Sequence, residues 1–393
     1  MMSVPALSLY VHMPWCVRKC PYCDFNSHGL KTELPERAYV DALLRDFEQD
    51  LPRVRGREIQ TVFFGGGTPS LFSAEAVDGF LATIRSRLPI APGAEITLEA
   101  NPGTVERGRF AEYRAAGITR LSIGVQSFEA RHLKVLGRIH TAGEASRAAE
   151  EAHAAGLSNF NLDLMYGLPG QIPAEALADV ATACGLEPAH LSHYQLTIEP
   201  NTLFHAKPPP LPDEDVAWQM QLECQSDMAT RGFVQYEVSA YARPGRACRH
   251  NLNYWHFGDY VGIGAGAHGK LTDSSGRVTR TWKVKHPEAF LRDAGRPESI
   301  GDTATVRPEE LAFEFMLNRL RLSADIVDGE FEASTGLPAG WVEAGLDKAR
   351  DLGLMQRRET AWHVTDRGRA YLNDLQALFL PPSLQGAPIR PRL

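Results

Sequence analysis

Three cysteines fall close together near the start of the chain, in LYVHMPWCVRKCPYCDFNSH (9–28), where Cys16, Cys20 and Cys23 are spaced CxxxCxxC. The rest of the 393-residue sequence holds only three more. Thiolates are soft anionic ligands, so such a group calls for a metal. Structural zinc closes with four ligands, and here His12 or His28 would have to be the fourth. Iron–sulfur clusters also usually take four thiolates. Three thiolates with no fourth nearby fit a four-iron cluster that keeps one iron open to a small-molecule ligand.

Such a loop needs elements to hold it and side chains to face it. Short apolar or β-branched runs recur at 7–13, 60–67, 95–100, 120–126, 159–167 and 190–197, and they read as six strands. Helix-like stretches lie between them at 35–50, 73–87, 104–116, 143–155 and 173–184. This alternation implies parallel strands with right-handed crossovers, and predicts an open, partial α/β barrel. Binding loops of such barrels gather at the carboxyl ends of the strands. The first five strands end there in the cysteines, in Gly65-Gly66-Gly67-Thr68-Pro69, in Glu99, in Gln126 and in Asp163. Each has a plain structural reading, as a turn, a helix cap or a satisfied loop residue. Their coincidence on one rim points to a site.

The CxxxCxxC spacing, Tyr22 before the third cysteine and the GGGTP loop resemble the radical S-adenosylmethionine superfamily. The resemblance implies a [4Fe-4S] cluster on Cys16, Cys20 and Cys23, its open iron chelated by the amine and carboxylate of S-adenosylmethionine. It implies that Tyr10, Tyr22, Gly66, Gly67, Thr68, Glu99, Gln126, Arg138 and Asp163 line the cofactor site. Carboxylates and amides suit ribose hydroxyls or an ammonium, and Arg suits a carboxylate. Glycines without side chains are expected to let the backbone reach the methionine moiety. A reductant protein such as flavodoxin or ferredoxin is the implied electron source.

Within that superfamily, VHMPWCVRKCPYCDFNSH, FFGGGTPSL, GVQSF and NLDLMYGLPGQ resemble a group of oxygen-independent coproporphyrinogen III oxidases and their haem-chaperone paralogues. The likeness runs over nearly the whole chain. The oxidases carry a further cysteine two residues after the third, where this sequence has Phe25, and a longer segment ahead of the cluster. Both departures direct the expectation to haem binding and delivery to apo-haemoproteins such as respiratory enzymes, with decarboxylation as the alternative. RHNLNYW (249–255) matches an HNxxYW motif that marks the chaperones, implying His250, Tyr254 and Trp255 as haem contacts and His250 as a candidate axial ligand. Arg243, Arg246 and Arg249 could meet the propionates. The plain alternative is a buried histidine in an aromatic core beside a solvated basic loop. Cys248 reads more simply as a small buried cysteine than as a ligand. GIGAGAHG (262–269) lacks the GxGxxG spacing, so close backbone approach explains its glycines better than a dinucleotide does.

Composition sets the surroundings. With 44% hydrophobic and 23% charged residues the chain is globular, and six cysteines in this length do not form a disulfide framework. The start lacks the pattern of a signal peptide, so the cytoplasm is the expected compartment. A formal net charge of -7 gives no global field towards nucleic acid, and 307–372 shows no basic recognition face. No apolar run of about 20 residues could span a bilayer, which leaves a peripheral membrane contact open. The organisation read from the sequence is a partial (β/α)6 core at 1–206, an α+β extension with the HNxxYW motif at 207–300, a helical winged-helix-like domain at 301–380 and a Pro-rich, mobile tail at 381–393.

Overall fold

The computed structural model describes residues 4–103 and 108–381. Six strands form in the predicted order: β1 (Leu7–Met13), β2 (Ile59–Gly66), β3 (Ile90–Ala100), β4 (Arg120–Gln126), β5 (Phe160–Tyr166) and β6 (His190–Gln195). Each pairs in parallel with the next. Helices Glu36–Val54, Ala74–Arg87, Phe110–Ala115, Ala142–Ala154 and Pro173–Gly185 make the crossovers. Local chemistry starts them: Ser73 caps the second, Thr141 and Glu144 form a capping box on the fourth, and Pro173 opens the fifth. The third helix is shorter than the expected 104–116, whose first residues lie outside the described ones, as does the Pro-rich tail beyond residue 381. Strand β3 begins five residues earlier than expected, at Ile90 rather than 95.

The sheet does not stop at the six strands. After β7 (Val234–Glu237) and β8 (Ala240–Ala242), strands β9 (Asp259–Ile263), β10 (His268–Thr272), β11 (Val278–Lys283) and β12 (Ile300–Thr305) complete one twelve-stranded sheet in the order β12-β11-β10-β9-β1-β2-β3-β4-β5-β6-β8-β7. Strand β9 lies parallel to β1, while β7, β8 and β10 to β12 run antiparallel to their neighbours. The hairpin expected in KLTDSSGRVTRTW forms as β10 and β11. Thus 207–300 extends both edges of the core sheet.

Continuous apolar runs, rather than alternating ones, mark strands covered on both faces. Leu9, Val11, Val62, Phe64, Leu98, Leu121, Ile123, Leu162, Leu164 and Leu191 belong to this main core. A second core gathers Phe315, Phe331, Leu346 and Leu375 in the C-terminal region, and Val278 joins it from the large sheet and Phe257 from the turn before β9. There a three-stranded sheet of Ile326–Val327, Ala361–Val364 and Met355–Arg358 packs with helices, the small winged-helix-like unit expected from the sequence. No helix of the described residues is long and apolar enough to cross a membrane.

Candidate functional site

The cysteines occupy a loop that closes on itself directly after β1. Trp15–Cys16 pairs with His28–Gly29, the His28 amide donating to the Pro14 carbonyl at 2.7 Å and the Leu30 amide to that of Cys16 at 2.9 Å. Between these ends, the Cys23 amide donates to the Cys20 carbonyl at 3.2 Å. The GIGAGAHG turn supports the loop from behind. Asn26 Nδ2 donates to the carbonyls of Ala265 (2.9 Å) and Lys285 (2.8 Å), and Tyr39 links the His12 carbonyl to the Ala265 amide. Gly264 and Gly266 have φ of +105° and +77°, and a Cβ on either would strike His12 or Asn26. These glycines serve close backbone approach.

All three thiols are free and half-buried. Burial pushes Cys16 and Cys23 up from the usual thiol range and neighbouring cysteines add to it; Thr68 and Ser27 oppose the rise at Cys16, and Ser27 does so at Cys23. The Ser27 hydroxyl stands 3.5 Å from Cys23 Sγ, and Arg138 Nη1 3.8 Å from Cys20 Sγ. Three thiols in one loop, with hydroxyl and guanidinium donors beside them, fit a cluster that needs thiolates. His12 is committed elsewhere, with Nε2 3.0 Å from the Asn26 carbonyl and Nδ1 3.0 Å from the Tyr10 hydroxyl. Among the described residues no three His, Cys, Asp or Glu side chains are placed to hold a single metal ion.

The glycine loop after β2 is pinned to the cysteine loop. The amide of Gly67 donates to the Met13 carbonyl and that of Thr68 to the Trp15 carbonyl, both at 2.7 Å, while the Gly66 amide donates to Glu99 Oε2 at 3.0 Å. A Cβ on Gly67 would stand 2.5 Å from the Trp15 carbonyl oxygen, and one on Gly66, whose φ is +112°, 2.5 Å from the His12 ring. The need for glycine at these two positions therefore arises first from the protein's own packing.

Beside this junction lies a cavity of about 170 Å³ whose walls include Cys20, Thr68, Asn101 and Arg138. Asn101 was not singled out by its type, although EANPG, a Pro-Gly break directly after a strand, marks the position. Its amide donates to Thr68 Oγ1 at 2.9 Å and its carbonyl accepts from Arg138 Nη2 at 2.5 Å. Arg138 also donates to the Gly124 carbonyl, and its buried Nε has no partner among the described residues. A buried guanidinium with a spare donor suits a carboxylate.

Tyr10, Glu99 and Asp163 line the barrel interior rather than that cavity. Each is half-buried. Burial, then the charge of Asp163, raises Glu99 to about 8 against the opposing Gly66 amide. Burial also raises Asp163, opposed by Asn161, Ser192 and Arg138. Two carboxyl groups that resist ionisation together favour a cationic or hydroxyl-bearing ligand. Gln126 ends β4 in the left-handed region at φ 71°, and its side-chain oxygen accepts from the Tyr194 hydroxyl at 2.8 Å. A strained non-glycine residue at a strand end is characteristic of sites. Tyr22 is packed near Phe204, with ring centroids 6.4 Å apart, walling the cysteine loop.

The HNxxYW residues form a helix, Arg249–Trp255, at the opposite end of the barrel. His250 is 1% exposed. Its Nδ1 lies 2.8 Å from Thr61 Oγ1 near the start of β2, its Nε2 2.8 Å from the Tyr254 hydroxyl, and its ring 5.0 Å from that of Phe63. Both nitrogens are taken and iron has no approach, so the expected axial role for His250 is not met by this arrangement. Trp255 is half-buried under the Arg321 guanidinium at 4.3 Å, and its indole nitrogen has no partner among the described residues. The imidazole open to solvent here is His256, its side chain 51% exposed and its Nδ1 3.6 Å from Glu330. Arg243 stacks on Phe233 and Arg249 donates to the Gly93 carbonyl, whereas Arg246 is exposed. Cys248 is buried at 2% exposure, 3.5 Å from Glu95, as a small core residue.

Comparison with known proteins places these features in a family. Residues 10–182 match the radical SAM superfamily model, and residues 306–371 match the HemN C-terminal domain. The sequence is 52% identical over 380 residues to the heme chaperone HemW of Escherichia coli, covering 97% of this chain and 100% of that one. It is 48% identical to heme chaperone HemW of Haemophilus influenzae over 97% of this chain and 99% of that one, and 33% identical to that of Bacillus subtilis over 95% and 99%. The solved structure of coproporphyrinogen III oxidase (HemN) from Escherichia coli, a radical SAM enzyme, superposes with a TM-score of 0.83 at 22% identity, covering 97% of this chain and 91% of that one. That structural likeness is one of fold.

Proposed function

The chain belongs to the radical SAM superfamily and, within it, to the heme chaperone HemW family, and from that membership we propose that it binds haem and hands it to apo-haemoproteins such as respiratory enzymes. The observation that carries this reading is 52% identity to a heme chaperone along 97% of the chain. Oxidative decarboxylation of coproporphyrinogen III is not favoured. Phe25, 58% exposed, offers no thiol where the oxidases were expected to have one.

In this reading Cys16, Cys20 and Cys23 hold a [4Fe-4S] cluster, and S-adenosylmethionine fills the space from the Cys20 cavity to the barrel interior. When bound, the cluster would supply an electron taken from the reductant and an open iron for the amine and carboxylate of the cofactor. The chain's own residues bind and orient. Arg138, braced by Asn101 and the Gly124 carbonyl, offers its spare Nε to a carboxylate. Glu99 and Asp163 accept from an ammonium or from ribose hydroxyls, and Gln126, Thr68 and Tyr10 add polar contacts. Gly66 and Gly67 keep the glycine loop tight against the cysteines. Tyr22 excludes water from one side of the cluster loop.

Haem is proposed to lie against the outer surface of the 249–255 helix, with Trp255 covering the porphyrin, Tyr254 behind it and Arg246 near a propionate. His250 then supports the helix from inside. A cytoplasmic location, a reductant such as flavodoxin or ferredoxin, and a division into core, extension and C-terminal domain at 1–206, 207–300 and 301–380 complete the proposal. The test is anaerobic reconstitution with iron and sulfide, followed by parallel assays of haem transfer to an apo-haemoprotein and of coproporphyrinogen III decarboxylation. Transfer without decarboxylation is expected; decarboxylation with added reductant and cofactor would replace this reading with the enzyme.

A further inference from the structure

The interior of the barrel below Asp163 is polar, and with Asp163 ionised its hydrogen bonds take one consistent assignment. Asn161 Nδ2 lies 2.7 Å from Asp163 Oδ1 and 2.8 Å from Ser122 Oγ. The structure turns the Asn161 NH2 group to Asp163 Oδ1, which accepts from it when the carboxyl is ionised. The Asn161 oxygen then accepts from Ser192 Oγ at 3.1 Å and from His190 Nδ1 at 2.7 Å, which places the imidazole proton on Nδ1. Burial, with the nearby Arg120 charge, keeps His190 neutral, so Nε2 can only accept. It does so from the Tyr236 hydroxyl at 2.9 Å, and the Tyr236 oxygen accepts in turn from the backbone amide of Cys248 at 3.2 Å. Cys248 is the residue on which the 249–255 helix begins. Four bonds thus run from the amide at the head of that helix to the Asp163 carboxylate, every donor pointing the same way.

We propose that His190 and Tyr236 are positioning residues for the cofactor site, which fix Asp163 from beneath through Asn161 and tie it to the start of the 249–255 helix. The proposal rests on the reading of Asp163 as a contact of S-adenosylmethionine. Bonds aligned in one direction in a medium of low dielectric polarise one another, and a break at any member leaves a buried donor or acceptor unpaired. Reversing the His190 tautomer would set two acceptors against each other at Asn161 and two donors at Tyr236. A bond made to Asp163 from the cofactor side therefore acts on the same carboxylate that the helix end reaches from the other side. Neither His190 nor Tyr236 need touch the cofactor for its affinity to depend on them.

The experiment uses the full-length, anaerobically reconstituted protein and S-adenosylmethionine itself, titrated by calorimetry against wild type, Tyr236→Phe and Asp163→Asn. Tyr236→Phe removes one oxygen, and its dissociation constant is expected to rise by about fivefold or more. A merely structural hydroxyl would lower the melting temperature without moving that constant. Nitrogen-15 spectra of labelled histidine supply a second readout: His190 should be protonated at Nδ1 alone, and adding S-adenosylmethionine should shift its ring resonances in wild type but not in Tyr236→Phe. Unchanged affinity in Tyr236→Phe, with loss in Asp163→Asn, would overturn the positioning role while sparing the cofactor reading. Unchanged affinity in Asp163→Asn would sink both. Should Tyr236→Phe fail to fold, a wild-type His190 protonated at Nε2, or one unmoved by S-adenosylmethionine, decides against the proposal.

Discussion

His250 and Tyr254 sit one turn apart on the same short helix and meet through a hydrogen bond of 2.8 Å between Nε2 and the hydroxyl, while Nδ1 is held by Thr61 on β2. The imidazole therefore joins helix to barrel and is closed to iron. His250→Ala should cost about 2–4 kcal/mol, from the cavity and from the unpaired groups left at Thr61 and Tyr254. Haem added to the folded fraction should show the visible spectrum of wild type. A lost axial nitrogen signature in a variant of undiminished stability would return His250 to the role of ligand.

The glycine loop leads to a different expectation from the one its sequence suggests. A Cβ at Gly67 meets the Trp15 carbonyl, a backbone atom that cannot turn aside, and Gly66 combines a clash with His12 and a positive φ. Gly67→Ala and Gly66→Val should each destabilise the protein by roughly 1–3 kcal/mol or more and disturb the cysteine loop before any effect on the cofactor. Melting temperature and iron content after reconstitution check this. Full stability and iron content with weakened S-adenosylmethionine binding would show that the space at the glycines belongs to the ligand.

The cysteine loop carries the next expectation. Reconstituted protein should hold one four-iron cluster whose reduced electron paramagnetic resonance signal changes when S-adenosylmethionine is added. Replacing Cys16, Cys20 and Cys23 together by Ala should abolish it. The other cysteines, Cys184, Cys224 and Cys248, are buried and separate from that loop in the sequence. An undiminished signal in the triple variant would remove the cluster from this loop.

Much of this arrangement was legible in the sequence because it depends on local pattern. Six apolar runs alternating with amphipathic stretches suffice for a parallel barrel, and parallel order puts Glu99 and Gln126 at the strand ends on the side of the cysteines, whereas Asp163 falls in the middle of β5 rather than at its end. What pattern cannot express is pairing between distant segments. Nothing local to Asp259–Ile263 says that it pairs in parallel with β1, so the twelve-stranded sheet was not foreseen. The inward position of His250 is hidden from local pattern for a related reason. A helix of seven residues has too few turns for an apolar stripe to show which side faces inward, and this one turns its histidine to the barrel. Asn101 escaped because its importance lies in bracing Arg138 and Thr68, which only the assembled strand ends bring to it.

Glu99 offers a test through pH. Unfolded, its carboxyl releases a proton near the ordinary 4.5, whereas burial and the Asp163 charge hold the proton in the folded protein up to about 8. Between those values the folded state binds more protons than the unfolded one, so this group makes stability fall as pH rises through the window. Glu99→Gln cannot ionise and should lose that slope. In cluster-free protein the variant should gain on wild type steadily from about pH 5 to about pH 8 in denaturant titrations. Bound ligand reverses the balance, since a cation beside Glu99 favours the carboxylate. S-adenosylmethionine binding to reconstituted wild type near neutral pH should therefore release a proton, seen as a binding enthalpy that varies with the ionisation enthalpy of the buffer. The variant should show less of this dependence. Equal proton release in both proteins would mean that the ligand's charge does not reach Glu99.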